Sequence, residues 1–220
     1  MSGDTIPEPF RDDSGEQSVR GFLHHPGTPN GDGLVLTHGA SGNGQSSLLV
    51  ALGETFSEIG VTVLRCDLPF RQLRPKGPPS PSGSDRDRDG LRSALAALRR
   101  LITGHVFLGG QSYGGRQASM LAASEPSLVS GLLLLSYPLH PPGRPAQPRT
   151  AHFSSLHTPT LFVSGTKDPF GSVEELNSAI ILIPARTRLV NVEGAGHGLL
   201  TKQNREQLLK AVIEAFDGMF

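Results

Sequence analysis

Leu108-Gly-Gly-Gln-Ser-Tyr-Gly-Gly115 sets a serine between two glycines directly after the apolar run 105–108. The pattern is that of a nucleophile carried on a sharp strand-to-helix elbow, and it makes Ser112 the first candidate for chemistry. A turn of that kind crowds the backbone, which glycines at positions 110 and 114 tolerate without side-chain clash. With 27 glycines in 220 residues the pattern also arises by chance, so the surrounding elements have to decide.

Around the elbow, apolar runs of strand length alternate with stretches of helical period. Strands are expected at 18–24, 33–37, 61–66, 105–108, 131–136, 160–164 and 187–192, and helices at 46–59, 85–101, 115–123, 172–181 and 204–216. Alternation of this kind predicts a single-domain α/β fold, a mostly parallel sheet with helices on both faces. The domain is expected over 18–220, preceded by a polar segment, 1–17, that leads into the first strand. Two proline-rich stretches, 68–84 and 137–159, read as loops. Each follows the C-terminal end of a predicted strand, the edge of an open α/β sheet where ligands bind. The second is the only room for a lid, so little or no lid and a rather open site are expected.

Composition removes several function classes. Twenty basic and twenty acidic residues cancel, which leaves no global field to favour nucleic acid or an anionic membrane. The first twenty residues are polar and lack the pattern of a secretory signal. The longest apolar stretch, 131–139, is far shorter than the roughly 20 residues that span a bilayer. One cysteine, Cys66, cannot form an internal disulfide and falls in a predicted strand, which reads as packing. A cytoplasmic protein without nucleic-acid or membrane partners is expected, its partner a small-molecule or acyl substrate; monomer and homodimer both stay open.

A serine hydroxyl needs a base to become a nucleophile at neutral pH, and the base needs a third group to hold its tautomer. Asp168 follows the predicted strand 160–164 in Gly165-Thr-Lys-Asp-Pro169, and His197 follows the next strand in Glu193-Gly-Ala-Gly-His-Gly198. Taken singly, these residues also read as a turn serine, a helix cap and a loop histidine. Together they stand in the order Ser, Asp, His, which differs from the orders on two unrelated protease folds and matches that of α/β-hydrolases. Attack on a carbonyl also requires two donors for the developing oxyanion. One is expected from the Tyr113 backbone N–H, the other from the loop after Leu34-Val-Leu-Thr-His-Gly-Ala40, at Ala40 or alternatively Gly39.

On these residues the chain resembles the α/β-hydrolase superfamily, in particular the small dienelactone-hydrolase-like branch that includes testis-expressed protein 30 and its bacterial relatives. The resemblance rests on His38-Gly-Ala-Ser-Gly42, Arg65-Cys-Asp-Leu-Pro-Phe70, Gly109-Gly-Gln-Ser-Tyr-Gly-Gly-Arg116, Leu135-Ser-Tyr-Pro-Leu-His140, Phe162-Val-Ser-Gly-Thr-Lys-Asp168 and Gly196-His197. It implies a triad of Ser112, Asp168 and His197 and no cofactor. Serine stands where true dienelactone hydrolases use cysteine, and some relatives look like non-catalytic chromatin subunits. The expected activity is therefore a serine esterase or thioesterase working through an acyl-serine. The alternatives are a scaffold that keeps the fold and an acyltransferase with the same triad.

Other features carry weaker chemistry. Gly39-Ala-Ser-Gly-Asn-Gly-Gln-Ser46 has the spacing of a phosphate loop, but Gln45 replaces the lysine that would meet the phosphates, so the glycines read as shaping the oxyanion loop. No histidine set has zinc spacing, and no metal is expected. His38 and His140 are candidate substrate-site residues, the first also a brace of the oxyanion loop. Arg71 and Arg116 are candidates to attract an anionic acyl substrate, against solvated charges or an ion pair with Asp67.

Overall fold

The computed structural model describes residues 7–220. The described residues form two compact units that divide between Gly109 and Gly110. In the first, four strands lie in the order β1(Glu8–Asp12), β2(Val19–His24), β4(Thr62–Cys66), β3(Gly33–Thr37). β3 and β4 run parallel with Val35 opposite Leu64, and every residue of both is buried. That burial suits their mainly apolar side chains, with Arg65 of β4 the charged exception. β2 is antiparallel to β4, and β1 to β2. Helices α1(Ser47–Glu58) and α3(Ser84–Arg99) pack against these strands, and α2(Pro69–Leu73) packs on α3.

Two differences from the sequence reading stand out here. The polar segment 1–17 contains β1, an edge strand with no buried residue, so it carries no apolar run to betray it. Residues 1–6 of that segment lie outside the described residues. The proline-rich stretch 68–84 contains the short helix α2, with Pro69 at its first turn, where a missing N–H costs nothing. Gly90 of α3 gives Pro69 its seat: a Cβ there would lie 2.5 Å from the ring.

A buried cation organises this unit. Arg65 in β4 is 2 % exposed; its Nε donates to His24 Nε2 at 2.7 Å, its Nη1 to the Gly44 carbonyl, and the guanidinium lies over Phe22. His24 can accept only while neutral, and burial together with Arg65 lowers its pKa to about 4. The unfolded chain protonates the same imidazole near 6.5, so between these values it binds the extra proton. Stability from this group is complete above pH 6.5 and is lost as the pH falls toward 4, by up to about 3 kcal/mol. The urea midpoint of the wild type should therefore fall more steeply from pH 7 to 5 than that of His24→Gln, which accepts from Arg65 without titrating. Parallel profiles would show that His24 does not set the acid slope. Cys66, at the end of β4, is buried, and that burial pushes its thiol pKa up to about 12.

The second unit takes over at the end of β5(Val106–Gln111). β6(Gly131–Leu135), β7(Thr160–Gly165) and β8(Thr187–Val192) run parallel in that order, with Leu133 opposite Leu161 and Val163 opposite Val190. α4(Tyr113–Ser124) packs on β6, α5(Val173–Ile180) on β8, and α6(Arg205–Asp217) on β7 and β8. Stretch 137–159 is mainly loop, pinned by Tyr137, Phe153 and Phe162, whose ring centroids lie 5.3–6.3 Å apart. The described residues thus form an α/β fold with eight mostly parallel strands. No helix among the described residues is long and apolar enough to cross a membrane.

Candidate active site

Local backbone geometry raises Ser112 out of the chain. It connects β5 to α4 with φ 51° and ψ −115°, a conformation that non-glycine residues rarely adopt and that neighbouring structure must enforce. Its N–H donates to Leu135 O at 2.8 Å, beside the end of β6, and its carbonyl accepts from Arg116 N at 2.9 Å. The enforcing contact is between glycines. A Cβ on Gly110 would lie 2.6 Å from Gly114 C, and one on Gly115 would lie 2.6 Å from Gly110 O. Gly115, beyond the five-residue pattern, is therefore part of the elbow.

Asp168 and His197 lie in the loops after β7 and β8. These loops are joined by Thr166 N to Val192 O at 3.1 Å, Lys167 N to Ala195 O at 2.9 Å and Gly194 N to Thr166 Oγ1 at 2.9 Å. The approach needs Gly165, where a Cβ would stand 2.3 Å from the Ala195 carbonyl oxygen. The result brings the three residues together: His197 Nδ1 lies 2.8 Å from Asp168 Oδ2, and His197 Nε2 lies 2.8 Å from Ser112 Oγ. A carboxylate accepts, so Nδ1 carries the hydrogen and Nε2 is left to accept from the serine hydroxyl.

Two residues that the motif reading passed over hold this arrangement. Phe170 lies against the His197 ring with centroids 4.1 Å apart, and its N–H donates to Asp168 Oδ1 at 2.9 Å. Gln111 Nε2 reaches the His197 carbonyl at 3.4 Å. Proximity to the elbow and to Asp168 is the only sequence signal for either. The Asp168 side chain is 2 % exposed and that of His197 25 %, so the carboxylate is shielded while the imidazole edge stays accessible.

Of the oxyanion candidates, Tyr113 opens α4, where the first backbone N–H groups lack intrahelical acceptors. Gly39 and Ala40 belong to the first unit, in the loop after β3. His38 braces that loop. It is fully buried; Nδ1 donates to Gly39 O at 2.8 Å and Nε2 accepts Leu68 N at 3.1 Å. Burial holds its pKa below the usual value, in keeping with a neutral ring. Both ring nitrogens are thus engaged with backbone.

Arg71 is engaged with backbone as well. Its guanidinium donates to the carbonyls of Gly42 at 2.8 Å, Ala40 at 2.7 Å, and Arg74 and Gly77 at 3.2 Å each, clamping residues 40–42 to 74–77. Asp67, its expected ion-pair partner, instead accepts Gly44 N at 2.6 Å. A carboxylate therefore sits on an amide that a phosphate loop would leave for its ligand. His140 lines a cavity of about 480 Å³ with Leu139, Pro148, Glu174 and Leu182, and its ring reaches Pro141 O at 2.8 Å and Glu175 at 3.3 Å. Arg116 lies one helical turn past Ser112, with no partner for its buried Nε.

A family profile described as an alpha/beta hydrolase domain matches residues 31–218, and the chain belongs to that family. Its fold is that of dienelactone-hydrolase-like structures. The dienelactone hydrolase of Anabaena variabilis superposes with a TM-score of 0.78 at 20 % identity, over 99 % of this chain and 100 % of that one. Est1E from Butyrivibrio proteoclasticus gives 0.75 at 18 % identity over 96 % and 98 %. A lidless α/β serine hydrolase from Xanthomonas campestris gives 0.73 at 18 % identity over 96 % and 95 %.

Proposed function

We propose that the protein is a serine hydrolase that cleaves a carboxylic ester or thioester through an acyl-serine, with Ser112, His197 and Asp168 as its triad. The observation that carries this reading is the pair of 2.8 Å contacts on the His197 ring, one to a shielded carboxylate and one to the serine on the elbow. In the proposed reaction His197 Nε2 takes the Ser112 proton as Oγ attacks the carbonyl carbon. The Asp168 carboxylate stabilises the imidazolium, which then gives its proton to the leaving alcohol or thiol. Water, deprotonated by the same nitrogen, releases the acid and regenerates the serine. The Tyr113 amide and that of Ala40, or alternatively Gly39, are the proposed oxyanion donors. Among the described residues, stretch 137–159 is the place for a lid and it is mainly loop, so accessible or bulky acyl esters are the proposed substrates. We further propose a cytoplasmic location, which the single cysteine, Cys66, fits.

A fluorophosphonate probe tests it. Wild-type protein is expected to be labelled at Ser112 and Ser112→Ala to remain unlabelled, with kcat on a p-nitrophenyl ester lowered by about 10⁶-fold. An inert wild-type protein would favour the scaffold reading. Labelling accompanied by transfer of the acyl group to an added alcohol in preference to water would favour the acyltransferase.

A further inference from the structure

The cavity of about 480 Å³ that His140 lines falls within the size range of small-molecule sites, about 300–1,000 Å³. Leu139, Pro145 and Pro148 of stretch 137–159 form one wall, and Ala179 and Leu182 on the α5 side form the other. The two walls are held apart at a fixed spacing. On the loop side, Arg149 N donates to Leu139 O at 2.7 Å and the Tyr137 hydroxyl to Arg149 O at 2.6 Å. On the helix side, Ser172 and Glu175 close a capping box, in which Glu175 Oε2 accepts Ser172 N at 2.8 Å. His140 Nε2 bridges the walls by reaching the same oxygen at 3.3 Å. Leu182 is 54 % exposed and Ile181 beside it 81 %, so the mouth presents apolar surface that an occupant would remove from water.

The polar groups of the lining set the chemistry of that occupant. Among the described residues, two carboxylates line the cavity, Glu174 and Glu175, and no lysine or arginine does. Glu175 is occupied by His140 and by the cap of α5. Glu174 is exposed and has no hydrogen bond or ion pair with any described residue. Ser178 gives its hydrogen to the Glu174 carbonyl at 2.9 Å, which leaves its oxygen to accept. A carboxylate only accepts, so a bound molecule has to bring donors, and a positive charge is attracted to the unpaired Glu174.

Neither Ser112 nor His197 lines the cavity. Phe170 touches both sides of the partition: its carbonyl accepts His140 N at 3.0 Å, and its ring lies against His197. We propose that the cavity is a ligand site separate from the triad, and that it takes a small organic cation, an apolar body carrying a primary ammonium. The ammonium pairs with Glu174 and the body lies against Leu139, Pro148 and Leu182. This site goes beyond the hydrolase reading and does not depend on it.

NMR titration of ¹⁵N-labelled protein with 4-phenylbutylamine, 4-phenylbutanol and 4-phenylbutyrate tests the site with one body and three head groups. Saturable binding of the amine is expected, with the largest shifts at Thr150, Ala179 and Leu182. The amine should bind about fivefold or more tighter than the carboxylate, with the alcohol between them and the difference shrinking as salt is added. Glu174→Gln should bring amine and alcohol to equal affinity. Ser178→Trp, which fills the cavity from an exposed position, should abolish binding of both. Protein carrying a fluorophosphonate on Ser112 should bind the amine as tightly as unmodified protein. No saturable binding, equal affinity for amine and carboxylate, or unchanged binding in Ser178→Trp overturns the proposal. Largest shifts at Tyr113 and Gly114, or loss of binding after modification of Ser112, would place the amine in the reaction centre and overturn it as well. If Ser112 is never labelled, the hydrolase reading fails, and the shifts and variants still decide the cavity by themselves.

Discussion

Asp168→Asn is expected to lower kcat by about 10⁴-fold while leaving the fold intact. The carboxylate at 2.8 Å accepts from His197 Nδ1 and thereby fixes the hydrogen on that nitrogen. An asparagine amide in the same place can turn its NH₂ toward Nδ1, which stabilises the tautomer with hydrogen on Nε2. That nitrogen faces Ser112 Oγ at 2.8 Å and would then donate to the oxygen that the proposed mechanism has it deprotonate. The imidazolium formed during attack would also lose its neighbouring negative charge. Hydrolysis of a p-nitrophenyl ester, read with the rate of fluorophosphonate labelling, measures the effect. Both should fall together, and Asp168→Asn combined with Ser112→Ala should be no slower than Ser112→Ala alone, since residues acting as a unit are not additive. A loss below tenfold would mean that Asp168 does not set the imidazole tautomer. Phe170 N–H should retain its bond, because the asparagine carbonyl can still accept at the Asp168 Oδ1 position.

The elements that position this site were legible wherever local chemistry decided them. β3, β4, β6 and β7 are buried and mainly apolar, and each reads as a strand without help from the rest of the chain, although nothing in the sequence marks Arg65 of β4 as buried. Ser112, Asp168 and His197 could then be placed by counting forward from a strand end. β5 was read three residues short because its last turn of sequence, Gly109-Gly-Gln111, has little side chain to show a period. β1 is an exposed edge strand specified by pairing with β2, and α2 has only five residues, too few for a helical period. The roles of His38 and Arg71 depended on backbone groups far along the chain, the Leu68 N–H for His38 and the Ala40 carbonyl, 31 positions away, for Arg71, a meeting that spacing does not encode. Arginine in a candidate site suggests an anion, and only the hydrogen-bond partners separate Arg71, whose donors are spent on backbone, from Arg116, whose Nε is not.

Gly165→Ala should cost about 10²-fold or more in kcat through a single methyl group that touches no substrate. The added Cβ would stand 2.3 Å from Ala195 O and 2.7 Å from both Ala195 C and Gly196 O, all backbone atoms that cannot rotate aside. The loop carrying His197 must therefore move, and the movement is passed on through the Lys167 N to Ala195 O bond that joins the two loops. Because His197 contacts both of its partners at 2.8 Å, a displacement of about 1 Å breaks one or both. Stability should fall as well, by about 1–3 kcal/mol, the usual cost of overpacking. Gly198→Ala supplies the control, since a Cβ there meets nothing within 4 Å although the residue adjoins His197. Esterase activity and urea midpoints of the two variants, measured side by side, separate loop displacement from a general effect of alanine near the histidine. Equal activities in the two would show that the contact between the loops after β7 and β8 does not place the imidazole.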